Sequence, residues 1–145
     1  DRYAGLTHPP VVIENMPNVW GGGWEDAVFT GYLGDTECIT RRFVANPVAT
    51  KLIITADEPR LRTDGPDAVR FVVKLVDQAG NVLPYSSDVV QLKMRGPGQL
   101  IGPQVFALIG GVRGFWVRTT GKVGTIKVFG QVSGLKIADA SVRVR

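Results

Sequence analysis

The sequence predicts an all-β sandwich, and three observations carry that prediction. The first is a side-chain period of two, repeated in successive short segments. Val69, Phe71, Val73 and Leu75 alternate with Arg70 and Lys74, and Val90, Leu92 and Met94 alternate with Gln91, Lys93 and Arg95. One apolar face per strand describes sheets that bury a single side, hence two stacked antiparallel sheets rather than a parallel sheet covered on both. The second is punctuation: eighteen glycines and nine prolines fall largely between the periodic segments, where tight turns need them. The third is that no segment sustains a helical period.

Taken in order, Val11-Val12-Ile13 is a short strand candidate and Trp20-Gly21-Gly22-Gly23-Trp24 reads as a loop. Residues 27–33 and 38–44 flank Gly34-Asp35 and form a β-hairpin. Asn46-Pro47-Val48 is a short stiff linker, because Pro fixes its own φ and holds the preceding residue extended. The linker divides the chain into residues 1–47, a hairpin segment, and residues 48–145, where strands are dense. Strands are expected near 50–56, 68–77, 82–85, 88–95, 105–108, 112–119 and 124–132, with an eighth at 137–144. Asp77-Gln78-Ala79-Gly80-Asn81 supplies one turn, and Gly96-Pro97-Gly98 stops the strand before it. In the last strand Ala138, Ala140, Val142 and Val144 alternate with Asp139, Ser141 and Arg143. Seven to eight short strands with regular turn signals imply an immunoglobulin-like β-sandwich. The hairpin segment is marginal alone and reads as the end of a preceding sandwich domain. The chain opens Asp1-Arg2-Tyr3, without an initiator Met or apolar leader, and so reads as a piece of a longer polypeptide.

At 145 residues, 44% of them hydrophobic and 21% charged, the chain suits one domain plus a fragment. No apolar run of about 18 residues is present, so no membrane-spanning helix is expected. The net charge of +4 raises the question of nucleic acid. Only Arg41 and Arg42 are adjacent, and most other basic residues alternate with apolar ones along strands. That spacing reads as the solvated face of a sheet, whereas a nucleic-acid stripe would interleave clustered cations with aromatics. Cys38 is the sole cysteine, which rules out an intrachain disulfide; within Glu37-Cys38-Ile39 it reads as an inert, buried or half-buried strand residue.

Catalytic and metal chemistry finds little to stand on. His8, the one histidine, precedes Pro9-Pro10 with no strand to position it, and one His with one Cys cannot make the usual zinc sites. Asp57, Glu58, Asp64 and Asp67 cluster around one loop and Asp77 sits at a turn. A glycosidase pair would hold two carboxylates about 5–9.5 Å apart across a cleft, but Asp-Gly and Asp-x-x-Gly are turn chemistry, and no calcium-loop pattern is present. Gly21-Gly22-Gly23, Gly96-Pro97-Gly98 and Gly110-Gly111 match no phosphate-binding loop. No catalytic residue, metal site or cofactor is therefore expected.

Trp20 and Trp24 remain as the candidate contact residues. Two indoles flanking three glycines can stack on sugar rings or pack against a neighbouring domain or the hairpin. Protein contact is the simpler reading, because aromatics are common there and ordering a triple-glycine loop on a sugar costs backbone entropy. Trp116 reads as a core or sheet-face residue.

Several of these segments, in this order and spacing, resemble one family. They are Lys51-Leu52-Ile53-Ile54-Thr55-Ala56-Asp57, Thr63-Asp64-Gly65-Pro66-Asp67 and Val76-Asp77-Gln78-Ala79-Gly80-Asn81-Val82-Leu83-Pro84-Tyr85. Arg95-Gly96-Pro97-Gly98, Ile101-Gly102-Pro103, Gly111-Val112-Arg113-Gly114-Phe115-Trp116-Val117-Arg118-Thr119 and Thr120-Gly121-Lys122-Val123-Gly124-Thr125 follow. Together they are similar to the C-terminal immunoglobulin-like domain of glycoside hydrolase family 2, the β-galactosidase family. Gly31-Tyr32-Leu33, Phe43-Val44 and Pro47 resemble the end of the sandwich domain that precedes it. The resemblance implies a parent that hydrolyses β-galactosides or related β-glycosides with retention, using glutamates in an upstream barrel that nothing here matches. This chain would then be a non-catalytic accessory domain whose partners are other domains of that parent, serving interdomain packing or assembly. Two alternatives stand beside it: a carbohydrate-binding module using Trp20 and Trp24, and an immunoglobulin-like repeat of a bacterial surface adhesin, since invasin-type repeats share the Asp-x-x-Gly-Asn-x-x-Pro hairpin.

Overall fold

The computed structural model describes residues 25–145, which form eleven strands and no helix. The first two, β1 (Ala27–Leu33) and β2 (Thr36–Phe43), make an antiparallel hairpin around the predicted Gly34-Asp35 turn, with a bulge between Gly31 and Tyr32. Residues 44–50 then lead into β3 (Lys51–Ala56), β4 (Arg60–Leu61), β5 (Ala68–Val76), β6 (Val89–Arg95) and β7 (Gly98–Ile101). The chain finishes with β8 (Val105–Ala107), β9 (Val112–Thr119), β10 (Gly124–Gln131) and β11 (Ala138–Val144). These nine strands build two sheets, a four-stranded one ordered β3-β5-β9-β7 and a five-stranded one ordered β4-β11-β10-β6-β8. Every pairing is antiparallel except β4 with β11.

The alternation read from sequence decides which face each strand buries. Val69, Phe71, Val73 and Leu75 are buried while Arg70 and Lys74 are exposed, and β6 and β11 follow the same rule. The inward residues of both sheets meet in one core, where Phe71 and Phe115 stack with ring centroids 5.4 Å apart and Phe106 tilts onto Phe115. Burying each such side chain contributes about 1.5–3 kcal/mol.

Three local expectations change. Residues 82–85 form no strand: Val82 makes one bridge to Val76, Leu83 N–H donates to Leu75 C=O, and the chain then turns. Pro84 has no N–H with which to continue the ladder. The Gly96-Pro97-Gly98 segment is a crossing rather than a stop, because β6 lies in the five-stranded sheet and β7 in the four-stranded one. Gly96 takes φ +99°, and a Cβ there would overlap the Thr125 carbonyl, so only glycine lets the chain cross at this point. Cys38 is exposed instead of buried or half-buried, since neither face of the hairpin is covered by the described residues.

Candidate functional site

The carboxylates around residues 57–67 do not converge on a cleft; Asp57, Asp64 and Asp67 are each engaged locally. Asp57 pairs with Arg70 Nε across adjacent strands at 2.7 Å, and Asp64 pairs with Arg62 at 2.7 Å. Asp67 accepts the backbone N–H groups of Arg62 and Ala68. Such exposed pairs contribute under about 1 kcal/mol each, so their work is to shape turns. Asp77 is the buried one, 6% exposed, and its Oδ1 accepts the N–H groups of Ala79 (2.9 Å) and Asn81 (2.8 Å). This is the side-chain-to-backbone turn that Asp-x-x-Gly-Asn predicts. No group of three or more His, Cys, Asp or Glu side chains comes together among the described residues.

Trp20, Trp24 and His8 lie outside the described residues, as does the Val11-Val12-Ile13 strand candidate. Trp116 stands on the outer face of β9, half exposed, with Arg70 and Ile101 as its cross-strand neighbours. A groove of about 730 Å³ runs between the β3 edge and residues 134–139, and Asp139 is the only carboxylate in its lining. One carboxylate cannot divide general acid from nucleophile or base, as glycoside cleavage requires.

The most constructed polar feature is a clasp on the linker. The turn capped by Asp77 presents Gln78 and Asn81 to residues 42–48. Asn81 Nδ2 donates to Arg42 C=O (2.7 Å), Gln78 Nε2 donates to Asn46 C=O (3.0 Å), and Val48 N–H donates to Gln78 Oε1 (3.0 Å). Below it, Thr50 donates through N–H and hydroxyl to the carbonyls of Val76 and Asp77. Leu83 and Gly111 bond to Leu75 at the same end of β5, and beside them the turns carry Tyr85, 97% exposed, and Ile109, 74% exposed. The end of the sandwich that holds the linker thus also carries bare apolar side chains. Sequence reasoning found the turn but not the clasp, because the partners of Gln78 and Asn81 are backbone carbonyls more than thirty residues away.

Residues 52–141 match the family model Glycoside hydrolase family 2 C-terminal domain 5. The chain belongs to glycoside hydrolase family 2. The resemblance motifs from Lys51 to Thr125, the clasp turn and the crossing fall within or beside that match. The family 2 domain is 41% identical over 117 residues to a beta-galactosidase of Rhizobium meliloti, covering 77% of this chain and 16% of that protein. It is 35% identical over 115 residues to a beta-galactosidase of Rhizobium radiobacter, covering 78% of this chain and 83% of that sequence. The chain therefore spans a small part of the Rhizobium meliloti protein. A crystal structure of a family 2 member from Bacteroides cellulosilyticus superposes with a TM-score of 0.69 at 19% identity, over 83% of this chain and 17% of that one. That likeness is one of fold, and it agrees with the β-sandwich.

Proposed function

We propose that residues 48–145 form a non-catalytic accessory domain of a β-galactosidase-type parent, and that the domain packs end-on against the rest of the enzyme. Residues 1–47 belong, in this reading, to the end of the preceding sandwich domain. The parent hydrolyses β-galactosides or related β-glycosides with retention, and the catalytic carboxylates lie outside this chain. The observation that carries the reading is the clasp: Gln78 and Asn81 fix the linker to the sandwich end that bears Tyr85 and Ile109. Hydrogen bonds from side chains to linker backbone set the direction of approach, and exposed apolar side chains beside them offer the contact area. The carboxylates support the reading from the other side, since Asp57, Asp64, Asp67 and Asp77 are each engaged in a turn or ion pair.

Two measurements test this. The 145-residue chain is expected to give no turnover of nitrophenyl β-galactoside. Turnover that survives repurification and is lost on mutating Asp57, Glu58 or Asp64 would sink the accessory role. In the parent enzyme, Tyr85→Asp with Ile109→Asp is expected to lower Tm while leaving kcat/KM unchanged. A fall in kcat/KM at constant Tm would move these residues from packing to the reaction.

A further inference from the structure

The outer face of the five-stranded sheet gathers charge that the linear sequence scatters. The register sets Lys127 of β10 directly opposite Arg95 of β6, and Arg143 of β11 directly opposite Arg60 of β4. Lys93, opposite Phe129, adds a fifth cation, and all five are exposed. The outward positions of β4, β6, β10 and β11 include a single carboxylate, Asp139, on the other side of Phe129. The ion pairs among the described residues are Arg42–Asp26, Arg62–Asp64 and Arg70–Asp57, and none involves these five. Like charges directly opposite one another destabilise a sheet, and here the arrangement occurs twice on one face. Arg60, Arg143, Lys127 and Arg95 form a zigzag with one cation on each of four neighbouring strands: the two opposite pairs stand roughly 4.8 Å apart across the ladder, and Arg143 and Lys127 lie diagonally at about 7–8 Å.

We propose that this face binds an anionic polysaccharide, one bearing a carboxylate on each sugar residue. Its composition separates it from the other polyanion and protein surfaces it could serve. The centre of a protein interface is built on aromatic and apolar anchors, whereas the one aromatic here, Phe129, is half-buried with the Arg95 guanidinium 5.8 Å from its ring centre. Single-stranded nucleic acid needs several aromatics for its bases to stack on. A polyuronate needs neither. Its repeated carboxylates meet the cations, and its hydroxyls find partners in exposed Thr125 and Ser141, which stand opposite Arg143 and Lys127. The inference goes beyond the packing role and is independent of it, because the face lies on strands away from the linker clasp.

The test is affinity electrophoresis of the 145-residue chain through gels containing polygalacturonate, neutral galactan, polyglutamate or duplex DNA. Polygalacturonate is expected to retard the chain most strongly, with the effect suppressed by salt, and galactan is expected not to retard it. Lys127→Gln with Arg95→Gln weakens the interaction about tenfold or more. Lys74→Gln with Arg118→Gln, which removes the same charge from the opposite sheet, leaves it unchanged. Because Lys127 and Arg95 face each other, their removal relieves repulsion, so Tm holds or rises while binding is lost. No retardation by polygalacturonate overturns the proposal. Equal retardation by polyglutamate or DNA overturns the assignment to a glycan, and equal loss in the two double variants shows a net-charge effect and overturns the site.

Discussion

The β1–β2 hairpin and the β5–β9 pair are built alike and end up opposite. Both are antiparallel and both bring two phenylalanines together, Phe29 with Phe43 at 5.7 Å and Phe71 with Phe115 at 5.4 Å. In the sandwich these rings are 0% and 6% exposed; in the hairpin they are 49% and 48% exposed. The difference does not lie in the strands. It lies in what stands across from them, a second sheet in one case and none of the described residues in the other. Alternation says which face a strand would bury, while burial itself comes from a partner element.

The sharpest way to break this comparison is the same substitution in both places. Phe71→Ala removes a fully buried ring and is expected to destabilise the sandwich by about 3–5 kcal/mol. Phe29→Ala is expected to move the same unfolding transition by less than about 0.5 kcal/mol. Denaturant unfolding followed by tryptophan fluorescence reads both, and similar losses would mean that the hairpin shares the sandwich's cooperative core.

A smaller effect concerns the joint between the two regions. Asn81→Ala with Gln78→Ala deletes the three clasp bonds and leaves the backbone of the turn to Asp77. Sandwich stability is expected to fall by no more than about 1 kcal/mol per bond lost, while protease cleavage within residues 43–50 accelerates. Unchanged cleavage would show that the clasp does not order the linker.

The smallest effect is electrostatic and belongs to the hairpin alone. Asp26 accepts from the Ala45 N–H at 3.0 Å and from Arg42 at 2.7 Å, and these two bonds hold its carboxyl below the ordinary carboxylate range. A depressed folded-state pKa means that the stabilisation is present above the unfolded pKa and disappears as pH falls through the folded one. Acidification is therefore expected to shift the Ala45 amide resonance with a midpoint below that of an ordinary Asp, with the Val73 amide unmoved. A midpoint at or above the ordinary value would show that the two bonds are not formed in solution.

Much of this molecule could be read from its residues, and the misreadings share a cause. The alternation of β5, β6 and β11, the hairpin turn and the Asp77 turn are local, set by spacings of two to five residues, and the structure keeps them. The short strands β4 and β7 have too few residues to show a period, and they exist because β11 and β9 offer them ladders. Gly96-Pro97-Gly98 carries the same turn chemistry whether the chain stops or crosses between sheets. Cys38 sits in an alternating segment whose covering partner the sequence does not name. The clasp and the basic face needed register as well. Lys127 and Arg95 are more than thirty residues apart, and only the pairing of β10 with β6 makes them neighbours.

The crossing at Gly96 also bears on how fast the sandwich assembles. Since β6 and β7 go to different sheets, β6 must wait for β8 and β10 and β7 for β9, and few strands can pair with the one just made. Long loops have to close before their contacts repay the lost entropy, which places such topologies among the slow folders, at milliseconds to about seconds. The five-stranded sheet has a particular order of completion. Its strand β11 stands between β4, made early, and β10, made just before it, so neither half can join the other until β11 is available. Until β11 is laid down, β4 and β10 each keep an unpaired edge, so β11 is the closing piece of the sheet.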